Sequence, residues 1–347
     1  MADTYTAVTL AERPKADIIP GETFKVEERP VPKESDLKDG EVIFETKYLS
    51  LDPAMRGWLN DARSYVPPVQ ISEVMRGLAA GVVTASKSEK FPVGTTATGT
   101  VGWTEIAVVN EKALEKVEIP RNGKLTDSLG VLGMTGLTAY FGLLRIGLPK
   151  PGETVVVSGA AGATGSVVGQ IAKIHGCRVI GVCGSDSKCS WLKEELGFDE
   201  AVNYKDPEFA KKFRDVTKSL IDVFFDNVGG DVLDLALSRA KKNARFVICG
   251  GISQYNAVDK KGPANYLMII AMRIRMEGFI VFDFASEYAE ASKDLAQWLS
   301  EGKIKRKETI IKGGLKEADK ALVQLYKGIN TGKLLVEVKP ESEQSKL

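Results

Sequence analysis

The segment Thr154 to Lys173, TVVVSGAAGATGSVVGQIAK, constrains this 347-residue chain more than any other. A short β-branched apolar run reads as a buried strand, and SVVGQIAK reads as a helix. Between them the spacing from Ala160 is A-x-G-x-x-G, with alanine where the usual fingerprint begins with glycine. Strand, glycine turn and helix in that order are the context in which such a pattern binds a dinucleotide. Gly162 would let the backbone approach a pyrophosphate, and Gly165 would allow the helix to pack closely on the strand. The helix N-terminus would supply unpaired N–H groups and the positive end of a dipole. The alternative is a glycine turn that serves packing alone.

The rest of the chain suits that reading. Its length is about two domains' worth. Residues 1–125 hold short β-type runs broken by Gly and Pro, including GEVIFETKYLSLDP, AAGVVTAS and WTEIAVV, which predict a barrel or sandwich. From 126 the rhythm changes. SLGVLGMTGLTAYFGLLRIG (Ser128 to Gly147) predicts a helix, and then strands alternate with helices. Strands are expected at Thr154 to Ser158, Arg178 to Val182, Glu200 to Asn203, Val223 to Asp226, Arg245 to Cys249 and Glu277 to Val281. Such alternation implies an α/β fold, a doubly wound parallel sheet over 126–304. Residues 305–347 offer a helix around Glu317 to Asn330, a strand at Leu334 to Val338, and a polar tail.

The second central strand, RVIGVCGS, bears on which dinucleotide binds. An acidic residue at its end would hold the adenosine ribose hydroxyls and repel a phosphate. This strand ends in Cys183, Gly184 and Ser185 instead. Ser185 can donate a hydrogen bond and Lys188 can meet a phosphate, so NADPH is expected. Asp186 is read as the cap of the helix that carries Lys188.

Composition closes other routes. Forty-seven basic residues balance forty-six acidic ones, so no global field draws nucleic acid or an anionic membrane. No apolar run is long enough to span a bilayer. There is one histidine, His175, and there are four cysteines, Cys177, Cys183, Cys189 and Cys249, with no C-x-x-C spacing. Zinc ligation and a histidine-based catalytic triad are therefore not expected. Sparse cysteine and the lack of an N-x-S/T acceptor suit a reducing intracellular compartment. The chain ends in Ser345, Lys346 and Leu347, the tripeptide read by the peroxisomal import receptor. Peroxisome is the expected location, with cytoplasm as the alternative.

Several motifs coincide with one family. MTGLTAYFGL, VVVSGAAGATGSVVGQIAK, the NYK at Asn203 to Lys205, FDNVGG, CGGISQYN, GFIVFDF, TGKLLVEV and YLSLDPAMRG resemble the zinc-independent medium-chain reductases. Within them the chain is similar to the prostaglandin reductase, leukotriene B4 dehydrogenase and plant alkenal double-bond reductase group. The resemblance implies a GroES-like catalytic domain from 1–125 and 305–347, flanking a Rossmann domain, with the cleft between them and a homodimer overall. It implies that Gly162, Ala163, Thr164 and Gly165 meet the pyrophosphate, and that Lys188 and Tyr204 meet the adenosine phosphate. Asn227 would stand on the nicotinamide side, with the loop Cys249, Gly250, Gly251, Ile252, Ser253 and Tyr255 along the cofactor. Met134, Phe279, Ile280 and Val281 would approach the nicotinamide, and Asn330 would make a late contact. Tyr204 read alone could instead pack at a sheet edge, and Phe279 to Val281 could be an ordinary core strand. Thr135 replaces a proline common in relatives, and Ala54 replaces an aromatic, which implies a different or roomier substrate pocket.

The chemistry implied is reduction of an α,β-unsaturated aldehyde or ketone. Hydride reaches the β carbon, hydrogen-bond donors stabilise the enolate oxygen, and the α carbon is then protonated. Tyr255 is the first candidate donor, since a phenol of ordinary pKa about 10 donates at neutral pH. The nicotinamide ribose hydroxyl competes for that role. Tyr48 and Arg56 are secondary, with Asp52 and Arg56 expected as an ion pair holding their loop. A quinone reductase on the same scaffold, and a crystallin-like or regulatory nucleotide-binding protein without turnover, are the alternatives.

Overall fold

The computed structural model describes residues 3–339, so Ser345, Lys346 and Leu347 lie outside the described residues. The first strands are β1 (Thr4–Leu10) and β2 (Phe24–Pro30), an antiparallel pair. They are followed by β3 (Glu41–Leu51), the short α1 (Met55–Trp58), β4 (Ala79–Ser86), β5 (Thr96–Gly99), β6 (Ile106–Asn110) and β7 (Leu114–Lys116). The chain next forms α2 (Met134–Phe141), β8 (Thr154–Ser158), α3 (Ala163–Ile174), β9 (Arg178–Cys183), α4 (Asp186–Glu194) and β10 (Glu200–Asn203). Then come α5 (Phe209–Val216), β11 (Ile221–Asp226), α6 (Gly230–Leu237), β12 (Ala240–Ile248), α7 (Leu267–Met272), β13 (Arg275–Gly278) and α8 (Tyr288–Ser300). It closes with β14 (Glu308–Ile311), α9 (Ala318–Tyr326) and β15 (Lys333–Glu337).

These strands form two large sheets. One has six strands in the order β10-β9-β8-β11-β12-β13, each neighbour parallel. β8 is buried along its whole length because helices cover both sheet faces, which is why its sequence is a continuous apolar run. In β11 the side chains alternate between two cores. Phe225 joins the layer of α2, α3 and α8, while Phe224 joins the opposite layer of α6 and α7. Each fully buried phenylalanine contributes roughly 1.5–3 kcal/mol of burial free energy. The second sheet runs β14-β15-β3-β4-β5-β7 with β6 on β3, so the C-terminal strands return to the N-terminal ones. In α9, Ala318, Ala321, Leu322 and Leu325 recur at helical spacing and bury against that sheet.

Three elements depart from expectation. The helix read over Ser128 to Gly147 is divided into a 3-10 turn at Leu125–Leu129, α2, and a π turn at Gly142–Gly147. The division falls at glycines: a side chain at Gly133 would meet the Ser128 carbonyl at 2.0 Å, and one at Gly142 would meet the Phe279 ring at 2.4 Å. The strand expected at Glu277 to Val281 is displaced to Arg275–Gly278, its last pairing being Ile248 with Gly278. Beyond Gly278 the apolar residues leave the sheet, and Val281 opens a 3-10 segment ending at Glu287. The late helix stops at Tyr326 rather than Asn330, before Gly328 in the left-handed region at φ +66°.

Candidate active site

The strand order reverses at β8, whose neighbours are β9 on one side and β11 on the other. Ligands of open parallel sheets bind at the carboxyl ends of strands flanking such a reversal. Here those ends carry Gly159 to Gly162 after β8 and Asn227 to Gly230 after β11. A buried carboxylate ties them together. Asp226, fully buried, accepts from Ser158 Oγ at 2.7 Å and from the backbone N–H groups of Val228 and Gly229 at 3.0 Å. Burial raises its pKa against the pull of those hydrogen bonds. Asn227 completes the link, its amide donating to the Ser158 carbonyl at 2.7 Å. The FDNVGG motif contains Asp226, but its organising role was not read from the sequence, because its partner Ser158 is 68 residues earlier.

The glycine turn has the shape a dinucleotide needs. Gly162 caps α3 with no side-chain cap, which leaves first-turn N–H groups for an anion. A Cβ at Gly165 would stand 2.4 Å from the Gly159 carbonyl oxygen, so only glycine permits this helix to sit so close to its turn. Ala163 and Thr164 lie between them in that first turn. Asn330, nine-tenths buried, donates to the Gly332 carbonyl at 2.8 Å, and the Gly332 N–H donates to the Ala161 carbonyl at 2.8 Å. The C-terminal return is thereby bonded to the glycine turn.

At the end of β9, Ser185 caps α4, its hydroxyl accepting from the Lys188 N–H at 3.3 Å. This corrects the assignment of the cap to Asp186, which sits inside the helix and accepts from Asn203 at 3.0 Å. Ser185 precedes the helix and has the extended backbone a cap requires. The Tyr204 ring covers Gly184, where a Cβ would meet it at 3.1 Å. Lys188 Nζ donates to the Gly328 carbonyl at 2.7 Å, and burial lowers its pKa. The structure thus brings Ser185, Lys188 and Tyr204 to one place, with Lys205 close enough to Lys188 to add positive potential.

The Cys249 to Tyr255 loop lies over the β11 turn. Cys249 and Gly250 donate to the Asp226 carbonyl at 2.9 and 3.0 Å, Ile252 to that of Asn227 at 3.2 Å, and Ser253 Oγ to that of Val228 at 2.6 Å. Burial pushes the Cys249 thiol up to about 12. The Tyr255 hydroxyl accepts from the Gly251 N–H at 3.1 Å. Burial raises its pKa, so it stays protonated with its own O–H available to donate. The Tyr288 hydroxyl donates to the Val281 carbonyl at 3.0 Å and lies 3.8 Å from Met134 sulfur, while Phe279 packs edge-on to Phe225 at 6.4 Å. Tyr288 thus joins Met134 to Val281, which follows Phe279 and Ile280 directly in the chain.

Arg56 has another task. Its guanidinium, 3% exposed, donates to the carbonyls of Pro14 and Ala16 and, at 2.6 Å, to Asn60. The expected Asp52–Arg56 pair is not formed; Asp52 meets buried Lys333 at 2.5 Å instead. The reason is chain direction: β15 runs beside β3 and delivers Lys333 to the end of that strand. Tyr48 is buried in β3 in a cluster with Ala80, Leu129 and Leu335. A further group was not foreseen. Tyr65 stands 6.3 Å from Phe282, with Trp58 donating to the Tyr65 hydroxyl at 3.2 Å and Arg76 lying 5.6 Å over Trp58. These aromatics join the segment 58–76 to Phe282 and, with Tyr65 near enough to Tyr255 to act on its hydroxyl, form a lip beside that residue. Lone aromatics in loops carry no periodic signal that would have revealed them.

A family model described as the N-terminal domain of oxidoreductase matches residues 6–117, and one described as zinc-binding dehydrogenase matches residues 163–298. NADPH-dependent curcumin reductase of Escherichia coli strain K12 is 40% identical over 336 residues, 95% of this chain and 95% of the relative. The chain belongs to the zinc-independent medium-chain dehydrogenase/reductase family. This medium-chain oxidoreductase is also 42% identical to prostaglandin reductase 1 of Bos taurus over 86% of its own length and 90% of the relative's. CurA of Vibrio vulnificus, solved in complex with NADPH, superposes on the oxidoreductase with a TM-score of 0.89 at 40% identity, covering 97% of this chain and all of that one. Among the described residues, no group of three or more His, Cys, Asp or Glu is placed to hold a metal.

Proposed function

We propose that the chain reduces the carbon-carbon double bond of α,β-unsaturated aldehydes or ketones with NADPH as cofactor. The observation that carries this is the Tyr255 hydroxyl: half-buried, anchored by the Gly251 N–H, protonated, and set at the strand ends where the nicotinamide side is expected. NADPH supplies the hydride. The residues do the rest. Gly162, Ala163, Thr164 and Gly165 bind the pyrophosphate, while Ser185, Lys188 and Tyr204 hold the adenosine phosphate. Met134 and Phe279 to Val281 orient the nicotinamide. Tyr255 donates to the developing enolate oxygen, a pre-aimed hydrogen bond held in place by the Gly251 N–H. Tyr48 stays a secondary candidate, and Arg56 acts by holding the 14–16 loop.

The names of the 40% and 42% identical relatives, curcumin reductase and prostaglandin reductase, support an enone-type substrate. Ala54, half-buried at the start of α1, and the Tyr65–Phe282 lip suit a bulky, partly apolar one. A quinone substrate is the second reading; quinone oxidoreductases share the fold at 23% and 20% identity. The deciding experiment follows NADPH absorbance with a 2-alkenal, an aryl enone and a quinone in parallel. Turnover of the quinone alone refutes the proposal, and binding without any turnover supports the regulatory alternative.

We further propose import into peroxisomes through Ser345, Lys346 and Leu347, and a homodimer formed along the open edge of β13. That edge is flanked by exposed Ile270 and Phe282. Light scattering at the monomer mass would remove the dimer.

A further inference from the structure

Two cysteines outside the reaction lie side by side beneath the adenosine-phosphate corner. Cys183 ends β9 and Cys189 sits in α4, their sulfurs 3.3 Å apart and both thiols free. A disulfide needs about 2.05 Å between sulfurs, so closure asks for little more than an ångström of movement. Both are buried, Cys183 at 3% and Cys189 at 9% exposure, but Cys189 lines a surface cavity of about 260 Å³ with Asp186, Asn203, Asp206 and Lys212. That volume admits a molecule the size of hydrogen peroxide with room to spare.

We propose that Cys183 and Cys189 form a modification site, oxidised by a hydroperoxide to an intramolecular disulfide that weakens NADPH binding. Cys189 sulfur attacks the peroxide: the O–O bond breaks, a sulfenic acid forms, and the departing hydroxide takes the Cys189 proton and leaves as water. Cys183 sulfur then attacks the sulfenic sulfur. The S–S bond forms, the S–O bond breaks, and the departing hydroxide takes the Cys183 proton, so two thiols and one peroxide give one disulfide and two waters. The thiols are suited to these unequal roles. The hydrogen bond between the two sulfurs lowers the pKa of Cys189, and together with burial it raises that of Cys183, which stays protonated. Closure would draw the first turn of α4 toward β9. That turn holds the Ser185 cap and Lys188, the residue immediately before Cys189. The effect on binding rests on Lys188 contacting the adenosine phosphate; formation of the disulfide does not.

The test treats the full-length protein with hydrogen peroxide, blocks remaining thiols, and maps peptides by tandem mass spectrometry. NADPH affinity is titrated directly by nucleotide fluorescence before and after, and again after dithiothreitol. We expect a Cys183–Cys189 linked peptide, Cys177 and Cys249 still alkylated, and a loss of NADPH affinity of about tenfold, the scale of one charge-assisted contact, reversed by the reductant. Cys189→Ser should keep its NADPH affinity through the same treatment. Sulfinic acid at Cys189 without a link, oxidation confined to Cys177 or Cys249, or a link that leaves NADPH affinity unchanged would each overturn the proposal. Because binding is titrated without substrate, failure to reduce enones does not affect the result.

Discussion

Replacement of Lys188 by alanine tests the nucleotide corner most directly. In the structure its ammonium spends one donor on the Gly328 carbonyl at 2.7 Å and has two left. A charge-assisted hydrogen bond contributes about 1.5–3 kcal/mol, which corresponds to roughly 10- to 150-fold in affinity. Lys188 is half-buried, so solvent screens part of that, and the lower portion, about ten- to thirtyfold, is the expected rise in KM for NADPH. NADH lacks the phosphate. Its KM should change little, since only the Gly328 contact is lost, and that loss falls on stability at about 1 kcal/mol. The pH dependence has a definite sign. Burial lowers the lysine's pKa in the free enzyme, whereas a bound phosphate would raise it, so NADPH binding takes up a proton between the two values. NADPH affinity should therefore fall as pH rises through the free-enzyme pKa, at lower pH than an ordinary lysine would dictate, while NADH affinity stays level. Steady-state kinetics with both nucleotides across alkaline pH reads this out. Equal effects of Lys188→Ala on the two nucleotides would remove the residue from the phosphate site.

Other substitutions probe the remaining parts. Tyr255→Phe should lower kcat with an enone by about tenfold or more at saturating NADPH; a rate within about twofold of the parent would make the hydroxyl dispensable. Gly165→Ala places a Cβ 2.4 Å from the Gly159 carbonyl oxygen and should lower both thermal stability, by roughly 1–3 kcal/mol, and NADPH affinity. Gly162→Ala meets the same oxygen at 3.2 Å and should mainly affect binding; equal melting losses in the two variants would contradict the packing argument. Deletion of Leu347 should leave a tagged protein diffuse, and unchanged puncta would refute import through the C-terminal tripeptide.

Local patterns carried the Rossmann half of this protein. β8 and the turn into α3 match expectation because a strand covered on both faces must be apolar throughout, and because a helix packed this close to its turn must have glycine at 165. The place of Ser185 and Lys188 at the end of β9 was readable for the same reason, since both lie within a few residues of that strand, whereas the capping role of Ser185 was not. Signals of that kind live in neighbouring residues. Phe279 to Val281 misled because an apolar run suits a strand or a packed turn equally, and only the ring-sized space over Gly142 settled which. Asp52 and Arg56 looked like partners four residues apart, yet each is satisfied by a distant segment: Lys333 for the first and the carbonyls of Pro14 and Ala16 for the second. The Ser158–Asp226 bond at the strand reversal, the Tyr65–Phe282 lip and the Cys183–Cys189 contact likewise depend on where the chain returns. A buried charge or thiol is paired by whatever the packed fold brings within about 3 Å, and sequence distance does not encode that.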